Sequence, residues 1–488
     1  MVYPKLTAYK YLNMSKSFYY RISVVTLLLA SVFYVIQVKV GLVVVLMLYW
    51  LYCLLYSLKK IDARISFFSF LITFFTFLLS RLFIDTLLPD FSSDYTVNVS
   101  NKLPYSLNAE PFVFYVLIVS LVGLSLGFLK NSDKLSSVTC IENPLYINKI
   151  RLLSRRLSYL FFIFTLVVTI EKIRYIWSNG YVDFYLNYKE GLPHIFYTLA
   201  AAYKFAFFIF LSTLPSKKES KLLIFLYLFE ACVSLLTGQR GSFVTPLLFI
   251  IIYLFFRNSL SPEDPWISKK GKLAITISLP LFCAAMFLVM LIRADNEIGN
   301  DSVMTLFLNF FYQLGGSEKI IGYAYDYQSS VPNGQWYSLG PIIRFFHGNP
   351  ISLLLGGEAI SSQSVEMAIH GHELGSFLTY KTDEYRYLSG GNIASSYVAE
   401  LWLDFGFIGV FIGSFIYGKI LGSIVTLSSN NIWKTTIGFI MINRILTAPR
   451  SNFMLFVTDC LSFSFLIMII YILFECNGLP RHINTRVR

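Results

Sequence analysis

The sequence predicts an all-α polytopic membrane protein with about 12 transmembrane helices. Three observations predict it. Hydrophobic residues make up 56% of the 488 and charged residues only 14%, with a mean hydropathy of +0.61, a balance far from that of a soluble core. The apolar residues fall into long runs. The basic residues gather in every second connection between those runs, as the positive-inside bias requires.

Taken in order, the runs lie at 22–38, 40–58, 65–88, 111–129, 158–176, 194–214, 222–237, 242–256, 273–292, 397–424, 433–448 and 452–474. The first lacks a small-residue cleavage site and reads as a membrane helix, not a removed leader. With a cytoplasmic N-terminus, the inner connections carry Lys5, Lys10, Lys16 and Arg21, then Lys59, Lys60 and Arg64, then Lys130, Lys134, Lys149, Arg151, Arg155 and Arg156. Lys217, Lys218 and Lys221, then Arg257, Lys269, Lys270 and Lys272, then Lys419 and Lys434, and finally Arg481, Arg486 and Arg488 follow on the same side. Both termini are expected in the cytoplasm. The formal charge of +12 is therefore loop charge facing a bilayer, and no nucleic-acid partner is expected. The chain divides into membrane helices 1–9 (1–292), one large outer loop (293–396), helices 10–12 (397–474) and a basic tail (475–488). The loop is far longer than an ordinary connection and points to function. Its amphipathic pieces at 304–314 and 342–355 are expected to be short interfacial helices that roof a cavity. Five of the six cysteines (Cys53, Cys232, Cys283, Cys460 and Cys476) sit in or beside apolar runs, and Cys140 lies in a basic connection. Neither a disulfide framework nor a zinc spacing is present.

The turn from Thr237 to Ser242 separates two apolar runs of about 14–15 residues, where a crossing takes roughly 20. Helices that short would recess the turn below the membrane surface and hold Arg240 at depth, which is costly without a function or a partner. Arg293, Arg444 and Arg450 also fall at outer span ends, Arg450 in a tight turn, Ala448 to Asn452. Guanidinium groups match phosphate oxygens bidentately and keep their charge, so converging arginines suit a diphosphate headgroup. The plainer alternative is that they snorkel to the interface as helix ends.

The loop also carries His370 and His372 beside Glu373. Imidazole suits removal of a proton from a sugar hydroxyl. Zinc would need ligands that two histidines alone do not supply. Glu400 and Asp404, spaced i and i+4, share one face of the helix that re-enters the membrane. Glu400 could act as base, bind hydroxyls or pair with an arginine. Lys204 and Glu230 lie mid-way along adjacent antiparallel spans and are expected to form a structural ion pair.

The Gly-x-Arg turn at 238–241, Arg293 before a large outer loop, Ala399-Glu400 with Phe405-Gly406 and Gly409 at its exit, and Ala448-Pro449-Arg450 before the last helix together resemble the Wzy-type O-antigen polymerases. The resemblance rests on the C-terminal half. It implies a GT-C-like inverting membrane glycosyltransferase of the bacterial inner membrane, needing no metal or other cofactor. Its substrates would be undecaprenyl-pyrophosphate-linked oligosaccharide repeats, and a Wzz-type chain-length regulator would be a partner. By the same resemblance Arg240, Arg293, Arg444 and Arg450 would surround the pyrophosphate, and His370, His372 or Glu400 would take the acceptor proton. An O-antigen ligase shares this chemistry. A lipid-linked oligosaccharide flippase would show two related halves, which this chain lacks.

Overall fold

The computed structural model describes residues 9–88, 105–131, 143–239, 241–261, 263–268, 270–272, 274–275, 303–347, 360–423 and 431–478. Among these, the regular structure is helical throughout. α1 (Tyr9–Val35), α2 (Lys39–Leu58) and α3 (Ile61–Leu87) lead into α4 (Ala109–Asn131). α3 is interrupted by one π-helical turn at Phe75–Leu79. α5 (Pro144–Asn179) begins where Asn143 accepts the Leu145 amide at 3.0 Å and Pro144 takes the first position, which has no amide partner to lose. α6 (His194–Ser212), α7 (Lys217–Ser234) and α8 (Gly241–Leu260) complete the first group, α7 opening on a reciprocal cap between Ser216 and Glu219.

The long loop contributes α9 (Val303–Leu314), α10 (Glu318–Asp326), α11 (Gly340–His347), α12 (Val365–His370) and α13 (Leu374–Thr382). α14 (Tyr397–Gly422), α15 (Ile432–Ile445), α16 (Leu455–Leu461) and α17 (Phe463–Glu475) return to the bundle. Nine helices among the described residues are long and apolar enough to cross a membrane, or ten with α16 and α17 as one span bent by 43°. The chain is a multi-pass membrane protein.

Two expectations change here. The run at 433–448 becomes a helix of only 14 residues, short of a crossing, while the run at 273–292 lies, but for 274–275, outside the described residues. The helices around Arg240 are not short. They extend through polar ends to 21 residues (Lys217–Thr237) and 20 residues (Gly241–Leu260), so length does not recess that turn.

α4 is the central helix, with 89% of its apolar window buried against 22% for α1. Glycines let α14 meet it backbone to backbone. A methyl group on Gly127 would collide with the Phe415 carbonyl, and one on Gly418 with the Leu124 carbonyl. Small residues are what allow such an approach between membrane helices.

α14 is not one straight rod. Gly406 has φ 64° and ψ −158°, a conformation open essentially to glycine alone. In a continuous helix Leu401 and Gly413 would stand about 18 Å apart. Here the Leu401 side chain packs onto Gly413, and the Tyr397 and Tyr417 rings are 5.0 Å apart. Residues 397–405 and 407–422 are therefore the two arms of a helical hairpin. Trp402 meets Phe112 in the first turn of α4 at 4.4 Å between ring centroids, while the Tyr397 hydroxyl reaches Ser120, two turns further along, at 2.7 Å. The first arm thus starts inside the bundle and climbs back toward the loop.

The loop helices cap this end. Asp326 of α10 accepts the Ser106 amide at 2.7 Å beside the start of α4. Arg81 of α3 lies 3.6 Å from Glu318, donates to the Tyr312 hydroxyl at 3.1 Å, and stacks over that ring. Burial pushes the Glu318 carboxyl up to about 7 despite Arg81.

Candidate functional site

Glu400 sits on the climbing arm, wholly buried. One carboxylate oxygen accepts Ser395 Oγ and Asn452 Nδ2, both at 2.6 Å, and the other accepts the Phe453 amide at 2.8 Å. The Tyr417 hydroxyl donates to the Phe453 carbonyl at 2.6 Å. These bonds fix the turn that follows α15, Ala448–Arg450 in a 3₁₀ conformation, against both arms of the hairpin. Because Tyr417 lies three turns from the hairpin tip, this turn is set within the bundle. Arg450 is exposed on it, next to buried Ala448 and Pro449. Glu400 pairs with no arginine among the described residues.

One turn before this 3₁₀ element, Arg444 forms a bidentate pair with Asp459 of α16, Nε to Oδ2 at 3.1 Å and Nη2 to Oδ1 at 3.0 Å. Lys204 of α6 reaches the same Oδ2 at 3.3 Å. The expected Lys204–Glu230 ion pair is thereby corrected. Equal depth was not enough, because the two side chains leave their helices on different faces. Tyr203 faces Tyr227 of α7, and Lys204, about 100° further round α6, turns toward α15 and α16. Glu230 instead accepts Thr169 of α5 at 3.5 Å.

Asp404, on the same arm as Glu400, holds a different segment. It accepts the amides of Tyr337 and Ser338 at 3.1 and 2.7 Å and the Ser338 hydroxyl at 2.5 Å. α11 starts just after. Its Arg344 donates to the carbonyls of Gly371 and His372 at 3.2 and 2.8 Å, while Gly340 lies so close to His372 that a side chain there would strike its carbonyl. His372 is bent into the left-handed region (φ 50°), its amide on Gln335 and its Nδ1 accepting the Trp336 amide at 3.1 Å. Burial, then the neighbouring Arg344, hold this imidazole below its usual range, so it is neutral with its proton on Nε2. His370 ends α12, exposed and with no ring hydrogen bond among the described residues. The described residues contain no group of three or more histidine, cysteine or acidic side chains placed to hold a metal.

The structure thus joins Glu400 to the Arg450 turn, Arg444 to Lys204, and His372 to the Asp404 segment. Arg240 and Arg293 lie outside the described residues. Asp459 and Arg344 were missed in the sequence, although an acidic residue in the run at 452–474 was signal enough.

A profile of the O-antigen polysaccharide polymerase Wzy family matches residues 18–479. The chain belongs to the Wzy family. The match covers the hairpin, the arginine turn, the loop helices and the first-half helices, which carried nothing in the motif resemblance. No curated protein and no solved structure matches the chain. A Wzy protein is an enzyme that polymerises O-antigen repeat units, and its substrates are lipid-linked repeats.

Proposed function

We propose that this polymerase works by an inverting, metal-independent displacement at the outer face of the bacterial inner membrane, with the long loop and the arginine turn on that side. The observation that carries the reading is the arginine turn, locked by Glu400 inside the bundle directly after Arg444. Arginines held there meet a lipid-linked diphosphate at the depth where its headgroup joins its chain. Arg450 and Arg444, together with Arg240 and Arg293, would neutralise the charge that grows on undecaprenyl pyrophosphate as it leaves. That is the electrostatic work a divalent cation performs elsewhere.

The acceptor sugar hydroxyl attacks the anomeric carbon of the donor from the face opposite the diphosphate. The carbon–oxygen bond to the diphosphate breaks, and the hydroxyl proton passes to His370. His370 is the base among the three candidates because neither ring nitrogen carries a hydrogen bond among the described residues. His372 already accepts the Trp336 amide at Nδ1, leaving Nε2–H to donate to a sugar oxygen. Glu400 has three donors on its two oxygens and acts as a positioning residue.

The test is complementation of a deletion strain, read as the lipopolysaccharide ladder on a gel. Deletion should leave core bearing a single repeat. Arg450→Lys should fail to restore the ladder at normal membrane levels of the protein, because lysine keeps the charge but loses the bidentate fork. A full ladder from Arg450→Lys would end the diphosphate role of this turn. Core without any repeat in the deletion strain would mean that export or ligation is the missing step.

A further inference from the structure

We infer that Lys204 is a direct ligand of the substrate diphosphate, and that Asp459 is the positioning residue that aims Lys204 and Arg444 at it. This rests on the diphosphate reading above and adds to it a helix, α6, that no motif had connected with the site.

Three helices converge on one carboxylate. Arg444 of α15 and Lys204 of α6 both bind Asp459 of α16, and no other acidic side chain forms an ion pair with either cation among the described residues. Two cations against one anion leave the cluster at a net charge of +1. The excess is on its open side, since the Lys204 and Arg444 side chains are 32% and 36% exposed while Asp459 is 16% exposed. Neither cation has used all its donors. Lys204 spends one of three on Asp459, and the Arg444 fork spends Nε and Nη2, leaving Nη1. A second cation on a single carboxylate within an apolar bundle is unfavourable unless an anion completes the set.

The surroundings fit an anion. One turn past Asp459 the chain breaks at Ser462, and α17 begins there as a separate helix, bent by 43° from α16. A half-helix that starts inside a membrane presents the positive end of its dipole at the break. The Ser462 hydroxyl is buried at this break without a hydrogen-bond partner among the described residues. From the loop, α11 covers the same place, its Phe345 ring stacked 6.4 Å from Phe463. The cluster therefore lies between the arginine turn and the broken helix, among helices apolar enough to cross a membrane, where the anion at hand is a lipid-borne diphosphate.

The experiment measures binding of undecaprenyl pyrophosphate to the purified full chain in nanodiscs, with inorganic pyrophosphate as a second probe. Lys204→Met should weaken lipid diphosphate binding at least about tenfold, the loss expected for one charge-assisted hydrogen bond. Lys204→Arg should restore it to within a few-fold, and Glu230→Gln should leave it unchanged. The double variant Lys204→Met/Asp459→Asn keeps the net charge of +1 on Arg444, so it guards against simple misfolding and should show the same loss. Wild-type affinity in either Lys204→Met protein, with only the melting temperature lowered, would reduce the cluster to an internal ion pair and overturn the inference. Loss of inorganic pyrophosphate binding alone would overturn the lipid assignment. If the wild-type chain binds neither probe, the diphosphate reading itself fails, whatever the variants do.

Discussion

Glu400→Gln keeps the size of the side chain but turns one acceptor into a donor facing groups that also donate. Each buried donor left without a partner costs about 1–3 kcal/mol. The variant should melt several degrees lower in detergent and make no polymer, although Glu400 touches no substrate in the proposed mechanism. Normal stability with lost activity would return Glu400 to the chemistry. His372 gives a prediction with a pH sign. Its folded value is depressed, so the unfolded chain binds the proton more readily, and its neutral form supports the loop above the ordinary imidazole value of about 6.5. Loop protection in hydrogen exchange should fall as pH drops below that value, and His372→Gln should flatten the dependence. At this scale the charged residues were legible, because a charge inside an apolar run stands out. Their partners were not. The bond from Arg444 to Asp459 is set by the turn between α15 and α16, and the one from Lys204 by which face of α6 meets α16. Neither is a property of spacing.

The hairpin in α14 was hidden for a related reason. The run at 397–424 looks like one long span, and hydropathy is indifferent to a reversal that keeps both arms apolar. Its signals were a glycine inside the run and a length in excess of a single crossing. A methyl group at Gly406 would touch nothing, so the penalty of Gly406→Ala is purely that of the backbone, about 1–3 kcal/mol. The expected outcome is a lower melting temperature and a disturbed Glu400 clamp, with polymer chains shortened or absent. A fully active Gly406→Ala protein would show that the reversal is dispensable. Gly127→Leu is the harsher test at the α4–α14 contact. It forces a side chain against the Phe415 carbonyl, and the protein should be lost from the membrane or recovered aggregated. Each of α1 to α8, by contrast, overlaps one apolar run, although α5, α7 and α8 extend beyond theirs through polar ends.

For the whole molecule, the proposed sidedness can be checked at Tyr385, which is 84% exposed among the loop helices. In a chain freed of its own cysteines, Tyr385→Cys should react with an impermeant maleimide in intact spheroplasts. Reaction only after the membrane is opened would invert the topology. The alternation of basic connections made this prediction available from the sequence, whereas the recessed turn expected at Arg240 arose from trimming two helices at their polar ends. The clamp on Glu400 has a consequence in time. Glu400 and Phe453 are separated by some 53 residues of synthesis, which at roughly 5–20 residues per second takes about 3–11 s. Until then the Glu400 carboxylate of the climbing arm has Ser395 but neither Asn452 nor Phe453, and Arg450 has only just been made. A polymerase still being made cannot act on the lipid intermediates around it, and an insertase or chaperone would have to shelter the unfinished arm for those seconds.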